Sequence, residues 1–246
     1  MLLAKHGFAS YGDLAARLNV SKMTVRRDMD VLQEAGLVEK VSGGAQVAGS
    51  AQEPPYTAKR LLQQPEKRAI AQAALPLIEP GMTVGLSAGT TTWTLARAIR
   101  GFGKLVFVTN STNIALDLHQ GGWTDIILTG GHFRTPSDAL VGPLAEAAVR
   151  RLHIDLLFMG AHGIDLDGGV STPNLQEAAV NRLLMERSDR VAVLFDHTKW
   201  GVKALAHIAD LDEIDVLVTD GGGGGREIAA AKERGTKVLT APPQTE

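Results

Sequence analysis

From residue 83 onward the chain repeats one pattern: a short, continuously apolar run, then a stretch with helical periodicity. The runs are Thr83-Val84-Gly85-Leu86, Leu105-Val106-Phe107-Val108-Thr109, Asp125-Ile126-Ile127-Leu128, Leu156-Leu157-Phe158-Met159, Val191-Ala192-Val193-Leu194-Phe195 and Val216-Leu217-Val218-Thr219. Strands this short that do not alternate with polar residues are buried on both faces, which points to a parallel sheet with crossover helices. Helical patterns at residues 66–77, 91–99, 112–119, 144–152 and 175–188 supply those crossovers. The expectation is a largely parallel α/β domain over residues 61–246.

In such sheets ligands bind outside the carboxyl ends of the strands. After Leu86 comes Ser87-Ala88-Gly89-Thr90-Thr91-Thr92, a loop of small residues opening directly into a helix. Gly89 lets an anion approach the backbone, the first-turn N–H groups point at it, and the threonine hydroxyls add donors, so the loop reads as a phosphate cradle. It lacks the lysine of a P-loop, which argues against a nucleoside triphosphate. Other strand ends carry Thr109-Asn110-Ser111, Thr129-Gly130-Gly131, Gly160-Ala161-His162-Gly163-Ile164-Asp165 and Asp196-His197-Thr198-Lys199. Each alone is more often a turn than a site. Together their hydroxyls, amide, carboxylates and lysine suit a small phosphorylated polyol.

The N-terminal part has a different character. Ser10-Tyr11-Gly12-Asp13 starts a helix with Leu14, Ala15 and Leu18 on one face, and Asn19-Val20 turns the chain into Ser21. Ser21 then caps a second helix that Gly36 closes. At about 100° per residue, Val25, Met29 and Leu32 share its packing face, and Lys22, Met23, Arg26, Arg27 and Asp30 fill the neighbouring arc. Leu37-Val38-Glu39-Lys40-Val41, the turn Ser42-Gly43-Gly44 and Ala45-Gln46-Val47 read as a hairpin. Helix, tight turn, helix and β-wing make a winged helix-turn-helix over residues 1–48. An arginine-rich helix by itself is ordinarily a solvated face; the wing and the spacing favour groove docking. In that picture Lys22, Arg26 and Arg27 contact phosphates or guanine edges, and Ser21 and Thr24 approach the DNA backbone. Gly49-Ser50-Ala51-Gln52-Glu53-Pro54-Pro55 breaks both patterns, and residues 49–60 read as a linker.

Charge and composition exclude several classes. A net charge of −2 is not that of a protein coating nucleic acid indiscriminately, whereas Arg17, Lys22, Arg26 and Arg27 sit together with no intervening acid. With no cysteine there is no disulfide framework, thiolate metal site or cysteine nucleophile. The histidines show no metal spacing, so neither a metal nor another cofactor is expected. No apolar run has the length of a membrane span and the N-terminus lacks a cleavable signal, so the expected location is the cytoplasm. The glycine run at residues 221–225 tempts a dinucleotide reading, but Arg226 stands at the third fingerprint position and the run lies near the C-terminus. It is expected to be a flexible loop.

Ser21-Lys22-Met23-Thr24-Val25-Arg26-Arg27-Asp28-Met29, with Leu32, Gly36-Leu37 and Gly43-Gly44-Ala45, closely resembles the signature of the DeoR family of bacterial transcriptional regulators. The resemblance extends over nearly the whole chain through Glu66-Lys67, Gly89-Thr90-Thr91-Thr92, Thr109-Asn110-Ser111, Gly130-Gly131, Val141-Gly142-Pro143, Gly163-Ile164-Asp165 and Lys199. It implies an effector domain related in fold to ribose-5-phosphate isomerase. It also implies that residues 89–92 hold a phosphate, with Ser87 and Gly131 on the same rim, and that Asn110, Asp165, Glu177 and Lys199 face the sugar. There are departures from the family pattern. Ser87 stands where an aspartate is common, Asn181 where a lysine usually precedes the arginine, here Arg182, and Ser42 replaces the wing's usual histidine. Family members also carry more residues ahead of the first motif, whereas this chain opens at Met1-Leu2-Leu3-Ala4-Lys5-His6.

The expected function is a repressor of sugar-metabolism genes, acting on double-stranded operator DNA as a homo-oligomer, with a phosphorylated sugar altering its affinity. Two alternatives remain at this level. One is a sugar-phosphate isomerase with a DNA-binding appendage, using Glu177 and Lys199; the loop Gly160-Ala161-His162-Gly163 lacks the closely paired acids of such isomerases. The other is a constitutive DNA-binding protein whose α/β domain only oligomerises.

Overall fold

The computed structural model describes residues 8–34, 38–41, 43–47 and 55–242, and the chain divides into two compact units, Met1–Leu62 and Gln63–Glu246. The proposed helix end at Gly36-Leu37, Ser42 of the wing, linker residues 49–54 and the opening Met1-Leu2-Leu3-Ala4-Lys5-His6 lie outside the described residues.

The first unit begins with β1 (Phe8–Ser10), α1 (Tyr11–Leu18) and α2 (Lys22–Glu34), followed by β2 (Val38–Val41), β3 (Gly44–Val47) and a short α3 (Tyr56–Leu61). The Ser10 hydroxyl caps α1 by accepting the Asp13 N–H at 3.0 Å. Asn19 ends it in the left-handed region (φ 53°), which asparagine tolerates better than most residues. Ser21 caps α2 by accepting the Thr24 N–H at 3.0 Å. Val25 and Met29 turn inward against Tyr11, Leu14, Ala15, Val38 and Ala45. The hairpin β2–β3 pairs Val41 with Gly44 across the turn, and β1 adds an antiparallel third strand along β3. That strand is too short to show a period-two pattern in the sequence. Helix α3 falls, but for Leu61, inside the span read as linker.

The second unit contains α4 (Gln64–Ala74), β4 (Thr83–Leu86), α5 (Thr90–Ala98), β5 (Val106–Thr109), α6 (Thr112–Gln120), β6 (Ile126–Leu128), β7 (His132–Arg134), β8 (Ala139–Val141), α7 (Pro143–Val149), β9 (Leu156–Gly160), β10 (Gly163–Asp165), β11 (Gly169–Thr172), α8 (Leu175–Glu186), β12 (Val191–Phe195), β13 (Ala206–Ala209), β14 (Val216–Asp220), α9 (Gly225–Glu233) and β15 (Lys237–Ala241). The main sheet is seven-stranded and parallel, in the order β15-β14-β12-β9-β4-β5-β6. The chain runs outward from β4 to β6, then returns to β9 on the opposite side of β4. The order therefore reverses between β4 and β9, and their carboxyl ends form the switch-point crevice of an open α/β sheet.

Strand alternation divides the core. Leu157, Met159, Val191, Val193, Phe195 and Leu217 face one side, where they pack with Val170, Ala206, Ile208, Leu184 and Val149. Their neighbours Leu156, Phe158, Ala192 and Leu194 are equally buried and point to the other side, where α4 packs on β12, β14 and β15, and α5 on β4, β9 and β12.

The expectation of helical crossovers needs correction in one place. Between β12 and β14 the chain makes β13, which joins β10 and β11 in a separate antiparallel sheet. The first helix also stops short: α4 ends at Ala74 and residues 75–77 form a single 3-10 turn, because Pro76 has no N–H to continue the α-helical ladder. Within residues 221–225, only the first four form loop; Gly225 opens α9. The loop is fitted rather than slack. A Cβ on Gly224, at φ +73°, would lie 2.3 Å from Trp200 Cδ1, and one on Gly222 would lie 2.6 Å from Asp220 Oδ2.

Candidate functional site

On α2, Lys22, Met23, Thr24, Arg26 and Arg27 are all exposed; Met23 and Arg27 lie on the far side of the helix from the packed Val25 and Met29, whereas Lys22 leans on α1, its Cε and Nζ 3.6 and 3.8 Å from where a Cβ on Gly12 would sit. Arg26 lies 5.6 Å over the Tyr11 ring, a cation–π contact that draws it back toward α1. Lys40 of the wing forms an ion pair with Asp30, which raises the lysine pKa above its ordinary value and offsets one acid of the exposed arc. Ser21 and Thr24 share a hydroxyl–hydroxyl bond of 2.9 Å, so both are engaged in the cap before any DNA arrives. Of the three cations on α2, Arg27 is the one left projecting.

In the second unit the switch point is built from loop 87–89 and the first turn of α5. Ser87 fastens it to β9: its N–H donates to the Phe158 carbonyl at 3.0 Å and its Oγ accepts the Gly160 N–H at 3.1 Å. The Thr92 hydroxyl donates to the carbonyls of Ser87 and Gly89, at 2.7 and 3.0 Å, so Thr92 shapes the loop rather than offering a donor to a ligand. The Thr90 and Thr91 hydroxyls make no hydrogen bond among the described residues. Gly89 provides no side-chain cap for α5, leaving the first-turn N–H groups without an intrahelical partner. Its role is clearance: a Cβ there would sit 3.1 Å from Thr92 Oγ1 and 3.9 Å from the Gly160 Cα.

The other expected residues divide into supports and free groups. Asn110, buried, accepts the Ala88 N–H at 2.8 Å and donates to the Leu140 carbonyl at 3.3 Å, tying the loop to β8. Gly131 sits at φ +122°, where a Cβ would lie 2.7 Å from the Val141 carbonyl, so it permits the close return of β8. The Glu177 carboxylate is held by Arg134 at 2.7 Å, by Ser137 and by Thr172 at 3.1 Å. Asp165 accepts the Asp167 and Gly168 N–H groups at 2.9 and 2.8 Å and pairs with Lys203 at 3.1 Å. Burial pushes the Asp165 carboxyl up, but those N–H groups and the Lys203 ammonium outweigh it and hold it below the ordinary carboxylate range. Lys199 follows β12 on a 3-10 turn and its ammonium makes no ion pair among the described residues.

Several residues that hold the site together escape the sequence reading. Asp138, buried and at φ +56°, caps the start of α6 by accepting from Ser111, from the Thr112 hydroxyl at 2.5 Å and from the Asn113 N–H at 3.1 Å. Arg134 and Ser137 come from the same β7–β8 hairpin. The turn residues Thr135-Pro136-Ser137-Asp138, between two short apolar pieces, are the signal that marks it. Asp220 accepts both the backbone N–H and the Nδ1 of His197, at 2.7 and 2.8 Å, and no spacing in the sequence announces that pair.

Comparison with known proteins supplies the family. Residues 1–51 match the DeoR-like helix-turn-helix domain, and residues 62–221 match the DeoR C terminal sensor domain. The chain belongs to the DeoR family. Among its relatives, the putative aga operon transcriptional repressor of Escherichia coli O157:H7 is 35% identical over 240 residues, covering 96% of this chain and 89% of that protein. The transcriptional regulator GlpR of Haloferax volcanii is 38% identical over 213 residues, covering 86% and 83%. Among solved structures, a D-ribose-5-phosphate isomerase in complex with phospho-erythronic acid aligns with a TM-score of 0.42 and 21% identity, over 55% of this chain and 52% of that one. As a DeoR-family protein the chain is a DNA-binding transcriptional regulator and not an enzyme. No helix among the described residues is long and apolar enough to cross a membrane.

Proposed function

We propose that this DeoR-family regulator represses genes of sugar metabolism, and that a phosphorylated sugar bound at the switch point changes its affinity for operator DNA. The DNA-binding part spans residues 1–48 and the sensor part residues 61–246. The observation that carries the reading is the uncapped start of α5, where the unpartnered Thr90 and Thr91 hydroxyls stand beside free first-turn N–H groups: donors without acceptors, as an anion requires. Lys199 is the available cation. Ser87 and Asn110 hold the loop in shape, and Glu177 and Asp165 act as braces for the elements around it.

The engagement of Glu177 by Arg134, Ser137 and Thr172 also ties up one of the two groups that the alternative isomerase reading needs. A single winged helix-turn-helix covers one half-site, which supports a homo-oligomer.

A panel of phosphorylated sugars tests the proposal by thermal shift. A ligand that binds the native state raises the melting temperature by mass action. At least one member is expected to do so, and Thr91→Ala is expected to abolish that shift while leaving operator binding intact. No shift with any member would favour a sensor domain that only oligomerises.

A further inference from the structure

We propose that Met23 reads thymine: that its side chain packs on the C5-methyl group of a T·A pair in the operator and contributes to sequence choice. The proposal rests on the docking of α2 in the major groove, and it adds an apolar reader to a face otherwise described by its charges.

Met23 lies in the first turn of α2 and is 74% exposed. The inward side of the helix is fixed by Val25 and Met29, both nearly inaccessible. At about 100° per residue, Met23 and Arg27 project from the opposite side, one turn apart. Their neighbours are drawn away from that apex. Arg26 lies over Tyr11, Asp30 is paired with Lys40, and the Ser21 and Thr24 hydroxyls bond to each other. Lys22 leans on α1, its Nζ 3.8 Å from where a Cβ on Gly12 would sit. At the apex of the first two turns remain one thioether and one guanidinium. A recognition helix contacts base edges with its N-terminal residues. The apolar feature that the major groove offers there is the thymine methyl, while guanine offers acceptors suited to arginine. Methionine is flexible and polarisable, so it can follow a methyl group without demanding one fixed geometry. Burial of a single methyl-sized group corresponds to about fourfold in affinity.

The test uses the full chain and a duplex enriched by it from a randomised DNA library, with each thymine in turn replaced by uracil, which removes only the methyl. The wild-type chain is expected to bind at least one uracil-substituted duplex about fourfold more weakly. Met23→Ala is expected to bind that duplex and its thymine parent equally, and Met23→Leu to keep the preference. If Met23→Ala retains the full thymine-over-uracil ratio, or weakens both duplexes alike, Met23 is not a reader. If no duplex is enriched at all, the groove assignment of α2 fails and this proposal fails with it.

Discussion

Glu177 shows how a single residue changes meaning once its surroundings are known. The family resemblance implied that it faces the sugar, yet its oxygens are engaged by Arg134, Ser137 and Thr172. Those partners lie as many as 43 positions away in the sequence, where no local pattern can reveal them. Replacing Glu177 with alanine removes the acceptor shared by a mostly buried guanidinium and two hydroxyls, and a buried polar group that loses its partner costs about 1–3 kcal/mol. Glu177→Ala is therefore expected to lower the melting temperature of the sensor domain clearly, and Glu177→Gln less so, as read by thermal denaturation. Asp165 makes a prediction about pH. Its folded-state pKa lies below the ordinary carboxylate value, so the unfolded chain binds more protons in that range and stability rises with pH across it. The contribution is present above the ordinary carboxylate range and is lost as pH falls through the lowered value. Denaturation followed from neutral to acid pH should show a shallower loss of stability in Asp165→Asn than in the wild type. Identical slopes would mean that the contacts to Asp167, Gly168 and Lys203 do not matter to the fold.

Among elements, those with a strong intrinsic pattern were legible and those defined by tertiary contact were not. The buried strands β4, β5, β9, β12 and β14 appear in the sequence as unbroken apolar runs, since both of their faces are covered. The capped starts of α1 and α2 are written in Ser10 and Ser21. Strands of three or four residues such as β1, β7, β10 and β13 cannot show a period, and they exist because a neighbouring strand supplies their hydrogen bonds. The glycine loop before α9 is the clearest misreading. Its composition suggests slack, whereas Asp220, His197 and Trp200 press against it so closely that a side chain is excluded at Gly222 and Gly224. Gly224→Ala combines a left-handed backbone with a Cβ 2.3 Å from the Trp200 ring. It is expected to destabilise the domain by about 1–3 kcal/mol, as overpacking of a tight site does. Urea denaturation checks this, and an unchanged midpoint would show that the loop yields freely.

For the molecule as a whole, the sequence declared two units of different chemistry, and each is built as its part in the function requires. One presents a capped helix whose outward face carries Met23 and Arg27. The other presents an uncapped helix start at the point where a parallel sheet reverses its order. The two are coupled through affinity: an anion held at residues 89–92 must bind the DNA-competent and DNA-released states unequally, since a ligand with equal affinity for both shifts nothing. The most direct test is a titration of the chain onto its enriched operator duplex, with and without the phosphorylated sugar that stabilises it, alongside Arg27→Ala and Thr91→Ala. The account predicts that the sugar changes operator affinity in the wild type, that Arg27→Ala loses affinity in either condition, and that Thr91→Ala binds DNA normally but ignores the sugar. Operator affinity unchanged by any sugar that binds the protein would contradict it.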